Sequence, residues 1–358
     1  MKLGIGLSQK MLTADNFRFA RQAGATHIVA HLLNFSVRKS NASASGTSER
    51  VAAGCDPGES VWSAEGLCDL RRAINREGLE LEALENFDPS HWSDVLLDGP
   101  RRRPQMQKLK TIIRSLGRAG IPIMGYNFSI AGTWGRTPVR TARGGAQSPG
   151  FHDPPQPPIP SGMVWNTVVD QTLYDPVHPK GVVGQFDHDE LWRRLQAYLD
   201  ELLPVAEEAG VKLALHPDDP PMPTLRGTPR LVYLPDHYQR LLDLSASPSN
   251  TMEFCIGTLA EMAEGNIYEV VDRYSRTGRI GYVHFLNVRG RVPHYDEVFV
   301  DEGDVDMLRV LRILKQNEFN GVLVPDHTPQ MSCDDPWHVG QAFTLGWMKA
   351  ALTAIDDE

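Results

Sequence analysis

The chain has 358 residues, enough for one large domain or two ordinary ones, and 41% of them are hydrophobic, which supplies a substantial core. A net charge of −9 argues against the basic face that nucleic acid or a membrane surface requires, so neither is an expected partner. No run of about 20 apolar residues offers a transmembrane span; MKLGIGLSQK turns polar too early for a secretory leader, and four cysteines do not make a disulfide framework, so a reducing cytoplasm is expected.

Apolar runs bounded by turn residues predict strands near residues 3–7, 26–32, 79–85, 122–128, 211–217, 251–256, 281–288 and 321–326. Between them lie amphipathic stretches at 14–23, 66–77, 104–119, 189–209 and 305–316 that predict helices. Such alternation means a parallel sheet, and eight units predict closure into a (β/α)8 TIM barrel formed by one domain over 1–358. An open doubly wound sheet is the alternative, but no Gly-x-Gly-x-x-Gly follows the first strand.

Two segments break the repeat. Residues 34–60 are rich in Ser, Ala and Gly, and 132–184 carry the proline-dense SPGFHDPPQPPIPSG, which is expected to form neither helix nor central strand. Both follow strands, so both are loop insertions at the C-terminal mouth, either a lid or a surface excursion.

Four potential metal ligands end four successive apolar runs: His216 in VKLALHPDDPP, Cys255 in NTMEFCIGT, His284 in GYVHFLNV and Asp326 in GVLVPDH. In a barrel, the C-terminal ends of the strands converge on one mouth, so residues far apart in sequence can share one ion. Two imidazoles, a thiolate and a carboxylate suit a divalent transition metal. Taken singly, each has a structural explanation, such as a satisfied core histidine, a buried small cysteine or an Asp that caps the next helix. Their repetition at one architectural position favours ligation. His327, beside Asp326, suits proton transfer near a Lewis acid.

Other residues are also directed at the mouth. Asp218 and Asp219 orient ligating imidazoles or start a turn, while Glu85 and Asn86 end the third strand. Tyr126, Asn127 and Arg136 follow the fourth, where Arg136 offers a two-pronged clamp for a substrate carboxylate or is a solvated loop arginine. His294, Tyr295 and Glu297 in VPHYDEVF lie on the loop after the seventh strand and either close over a ligand or decorate that loop.

Several segments, spread from about residue 120 to 330, resemble the mannonate dehydratase family of xylose-isomerase-like (β/α)8 barrels. They are YNF with the later WGRT, ALHPDDPP, SPSN leading into Cys-x-Gly-Thr, VHFLNV, EGDVDM and VPDH. The resemblance implies dehydration of D-mannonate to 2-keto-3-deoxy-D-gluconate. It also implies Mn2+ or Fe2+, ahead of Co2+ or Zn2+, at His216, Cys255, His284 and Asp326, and an acid/base role for His327. Sibling barrels commonly pair, so a homodimer is expected.

The chain departs from the family pattern at three places. Leu286 stands where HFRNV has arginine, Gly132-Thr133-Trp134 replaces Phe-Asp-Trp, and His338 in PWHVGQ replaces a tyrosine. Tyr126 and His338 are therefore the candidate partners of His327 in proton transfer, and Asn127, Arg136, His294, Tyr295 and Glu297 the candidate contacts to a sugar acid. An isomerase or epimerase on the same barrel is the nearest alternative. A metal-dependent nuclease and a non-catalytic sugar-acid binder are more remote.

Overall fold

Strands buried on both faces read as continuous apolar runs, and eight such runs here lie side by side. The computed structural model describes residues 1–33, 35–38, 49–52, 61–159, 164 and 184–357. In it, β1 (Lys2–Ser8), β2 (His27–His31), β3 (Glu80–Glu85), β4 (Ile123–Tyr126), β5 (Lys212–Leu215), β6 (Asn250–Cys255), β7 (Ile280–His284) and β8 (Val322–Val324) form a closed barrel. Every neighbouring pair is parallel, and Lys2 opposite Val322 with Leu3 opposite Leu323 seals the ring. Closure settles the choice between barrel and open sheet.

The five predicted helices occur as Ala14–Gln22, Ala64–Arg76, Arg102–Ala119, His188–Ala209 and Met307–Gln316. Side-chain caps set four of their starts: Thr13, Ser63, Asp187 and Asp306 each accept from the backbone N–H three residues on. EGDVDM is thus a turn and a cap, with Asp304 also accepting from Gly290 N at 2.8 Å. Among the described residues no helix is long and apolar enough to cross a membrane.

The barrel interior is plugged by Val29, Ala83, Ile123, Ala214, Tyr282, Val322 and Val324. Side chains alternate along a strand, so residues two positions on face the same interior, one layer nearer the mouth. Those residues are His31, Glu85, Gly125, His216, His284 and Asp326. On β6 the same alternation pairs Glu253 with Cys255. Gly125 is glycine for a visible reason: a Cβ there would run into the Tyr282 hydroxyl and the Glu253 carboxylate.

The insertions differ from their expected form. Of 34–60, only the antiparallel pair Phe35–Arg38 and Glu49–Ala52 is described, and the rest lies outside the described residues. Of 132–184, residues 160–163 and 165–183 lie outside them. The first part is not a loop but two strands, Arg136–Ala142 and Ala146–His152. With Asn287–Arg291 and His294–Val298 they make a four-stranded antiparallel cap sheet.

Pro149 therefore sits in an inner strand, against expectation. The register sets it opposite Pro138, so the two residues that cannot donate to the ladder share one position. Residues 153–159 form no helix or strand, as the prolines there require. The predicted seventh strand also divides, into β7 and the cap strand Asn287–Arg291.

Replacing Gly125 with Ala is expected to destabilise the barrel by about 1–3 kcal/mol through overpacking. A thermal melt of the variant matching that of the parent chain would contradict this packing.

Candidate active site and metal centre

The site is built from the ends of the strands upward. His216 follows β5, His284 ends β7 and Cys255 ends β6, and each places a ligand atom within 4.8 Å of the other two. Asp326 follows β8, with its Oδ2 at 3.5 Å from His284 Nδ1. Two donor atoms bound to one ion at about 2.1 Å and a tetrahedral angle lie about 3.4 Å apart, so these spacings fit a shared cation. His216 Nδ1 lies 2.6 Å from the Pro217 carbonyl, an acceptor, so in the neutral ring Nε2 bears the lone pair. Cys255 caps the helix Ile256–Glu261, and its sulfur accepts from Thr258 N at 3.4 Å and from Thr258 Oγ1 at 3.2 Å.

The electrostatics point the same way. Burial alone would raise the Cys255 thiol, but hydrogen bonds from His216 and His284 bring it down to about 6. Burial opposes charge on His216, yet Cys255 and Glu253 push it up to about 10, and Asp326 and Glu85 similarly raise His284. Asp326, despite burial, is held well below the usual carboxylate range by His327 and His284. Anions thus surround one point and favour positive charge there.

Two carboxylates underlie His284. Glu85 Oε2 is 3.2 Å from His284 Nε2 and accepts from the Tyr282 hydroxyl at 3.1 Å. Glu253 Oε1 is 3.4 Å from the same nitrogen. Burial works against charge on Glu85, but His31 and His284 bring it down to about 2, whereas burial and Glu85 push Glu253 up to about 8. Glu253 escaped the sequence reading although it lies two residues before Cys255, where strand alternation places it on the same face. His31 was also missed; it ends β2 and lines the cavity, with Nδ1 at 3.7 Å from Glu85 Oε1.

The mouth holds a cavity of about 420 Å³ lined by Ser8, His31, Glu85, Asn127, Arg136, His216, Asp219, His284, Asp326, His327 and Trp337, among others. Asn127 and Arg136 are there as expected, but the Arg136 fork is already engaged. Its Nη1 bonds Asp219 Oδ2 at 2.5 Å and its Nη2 bonds Glu297, with His327 Nδ1 at 3.2 Å. It is a buttress of the cavity wall and not a free clamp. Tyr295 donates to Asp219 Oδ1 at 2.5 Å, and Glu297 Oε1 lies 3.1 Å from His327 Nδ1. His327 Nδ1 is also 3.4 Å from Asp326 Oδ2.

Three expected contacts fall elsewhere. VPHYDEVF is a strand and not a loop, and its two-residue period turns Tyr295 and Glu297 inward but His294 outward, exposed beside His152. Tyr126 is one residue out of phase with Gly125, so it is buried against Tyr198 in the helix layer, ring centres 5.2 Å apart, its hydroxyl without a hydrogen-bond partner. His338 lies between helices, its Nε2 at 2.9 Å from Asn16 Oδ1 and its ring on Phe19, while its neighbour Trp337 lines the cavity.

Asp218 is structural, since it accepts from Leu231 N and Val232 N and pairs with the buried Arg230 at 3.0 Å. Leu286 is buried and packs on Gly257, just beyond Cys255.

Comparison with known proteins matches residues 16–155 and 180–350 to the family model of D-mannonate dehydratase (UxuA). A mannonate dehydratase of Streptococcus equi subsp. zooepidemicus is 29% identical over 275 residues, which is 75% of each chain. One of Geobacillus thermodenitrificans is 26% identical over 286 residues, 75% of this chain and 76% of the other. The crystal structure of mannonate dehydratase from Streptococcus suis serotype 2 superposes with a TM-score of 0.75 at 23% identity, covering 99% of this chain and 94% of that one. The D-psicose 3-epimerase of Clostridium cellulolyticum H10 shares the barrel more distantly, with a TM-score of 0.57 at 13% identity over 99% and 97% of the two chains. With the family model covering most of its length, the chain belongs to the D-mannonate dehydratase family of sugar-acid hydro-lyases.

Proposed function

We propose that this dehydratase converts D-mannonate to 2-keto-3-deoxy-D-gluconate and water, with Mn2+ or Fe2+ held by His216, Cys255, His284 and Asp326. The observation that supports the reading is the cluster of His216, Cys255 and His284 with Asp326 3.5 Å from His284, beside the cavity that His327 lines. When bound, the cation supplies Lewis acidity for negative charge that develops as the proton next to the carboxylate is lost.

The chain's own groups do the rest. His327 moves the proton, either taking it from the carbon or giving it to the departing hydroxyl. Glu297 and Asp326, within 3.1 and 3.4 Å of Nδ1, keep the imidazole aimed. Arg136 acts through this pair: it holds Glu297 and Asp219 in place and, with Tyr295, stiffens the cap sheet over the cavity. Asn127 and His31 supply polar contacts to the substrate hydroxyls. The cavity volume suits a six-carbon acid and lies within the range of small-molecule pockets.

The decisive assay incubates metal-loaded chain with D-mannonate and related aldonates and follows 2-keto-acid formation. Product lighter than substrate by one water supports dehydration, whereas product of unchanged mass sinks it in favour of an isomerase. Replacing His327 with Asn should leave bound metal nearly unchanged but lower kcat by about 10²- to 10⁴-fold; an unaltered kcat removes His327 from the chemistry. Tyr126→Phe, by contrast, is expected to turn over as the parent does, because the lost hydroxyl faces the helix layer. A large drop in its kcat would return Tyr126 to the site.

A further inference from the structure

His284 has two ring nitrogens, and its surroundings distinguish them. Nε2 faces Glu85 Oε2 at 3.2 Å and Glu253 Oε1 at 3.4 Å. Glu85 Oε2, which also takes the Tyr282 hydroxyl proton, is an acceptor, so Nε2 carries the proton. Nδ1 lies on the opposite side of the ring and faces Asp326 Oδ2 at 3.5 Å. The lone pair of the neutral ring is therefore on the side of Asp326.

The carboxylate pair below has little else to do. Glu253 is completely buried, and the polar groups that face it are His284 Nε2 and the Tyr282 hydroxyl. Glu85 is almost as deep, tied to Tyr282 on one side and close to His31 on the other. A buried carboxyl group is costly unless a donor faces it, and His284 Nε2 at 3.4 Å is placed to be that donor for Glu253. A donor N–H between the two carboxylates accounts for both. A carboxylate behind a ligating imidazole fixes its tautomer and raises its basicity.

We infer that Glu85 and Glu253 are positioning residues that lock His284 as an Nδ1 ligand and thereby set how tightly the chain holds its cation. The inference rests on the proposed reading of His284 as a ligand. Its distinguishing feature is that metal affinity, and not only turnover, depends on two side chains outside the proposed ligand set.

The test titrates the full metal-free chain with Mn2+ and with Zn2+ against a competing chelator, beside Glu85→Gln and Glu253→Gln. Each variant is expected to bind about 10- to 100-fold more weakly. In the Zn2+-loaded parent, 15N-histidine NMR should show a proton on Nε2 of His284, and that resonance should shift in Glu85→Gln.

Parent-like affinity in both variants overturns the inference, as does a proton on Nδ1, or a second tightly bound ion per chain that both variants abolish. Should the variants not fold, Tyr282→Phe leaves both carboxylates intact and removes one donor to Glu85; a several-fold loss of affinity supports the inference and no loss overturns it. If the parent chain itself takes up no ion, the metal centre fails, a result separate from parent-like affinity in the variants.

Discussion

The whole site follows from one geometric constraint, the two-residue alternation of side chains along eight strands that run the same way. Parallel direction brings all the C-terminal ends to one mouth, and alternation decides which residue at each end faces inward. Ala214 and His216, Tyr282 and His284, Ala83 and Glu85, Val324 and Asp326 are successive inward positions, the first of each pair packing the plug and the second furnishing the site. Packing and chemistry are thus adjacent layers of one stack. A shift of register by one residue would send every ligand into the helix layer.

The second organising feature is the grouping of charge. Cys255, Asp326, Glu85 and Glu253 form the lower acidic set around His216 and His284. Asp219, Glu297 and Glu261 form an upper set around Arg136, where burial and Asp219 push Glu261 well above the usual carboxylate range. His327 bridges the two sets through Asp326 below and Glu297 above. The cap sheet matters for this reason: it delivers Arg136 and Glu297 from segments about 160 residues apart in sequence to the same imidazole.

Much of this was legible in the chain. Apolar runs between turn residues marked each barrel strand because strands covered on both faces have no polar side to show. The four candidate ligands stood out because each ended such a run. What escaped was phase. Tyr126 and His294 are one residue off the inward face, and His338 is on the helix face turned to Phe19 while Trp337 takes the cavity. Glu253 was hidden inside a run read only at its end. Pairings such as Arg136 with Glu297, or the facing prolines 138 and 149, depend on tertiary neighbours that no local pattern announces.

Leu286 has a bearing on how the chain could change its chemistry. Its side chain lies in the core and fills the space over Gly257, at the start of the helix that Cys255 caps. An arginine there, as in the HFRNV pattern, would bring a guanidinium into a place now filled by a branched hydrocarbon packed on Gly257. Residue 286 and the backbone at 257 are therefore coupled, so a change in one is felt by the other. Leucine at this position is held by shape against Gly257 and by the cost of burying a charge in its place.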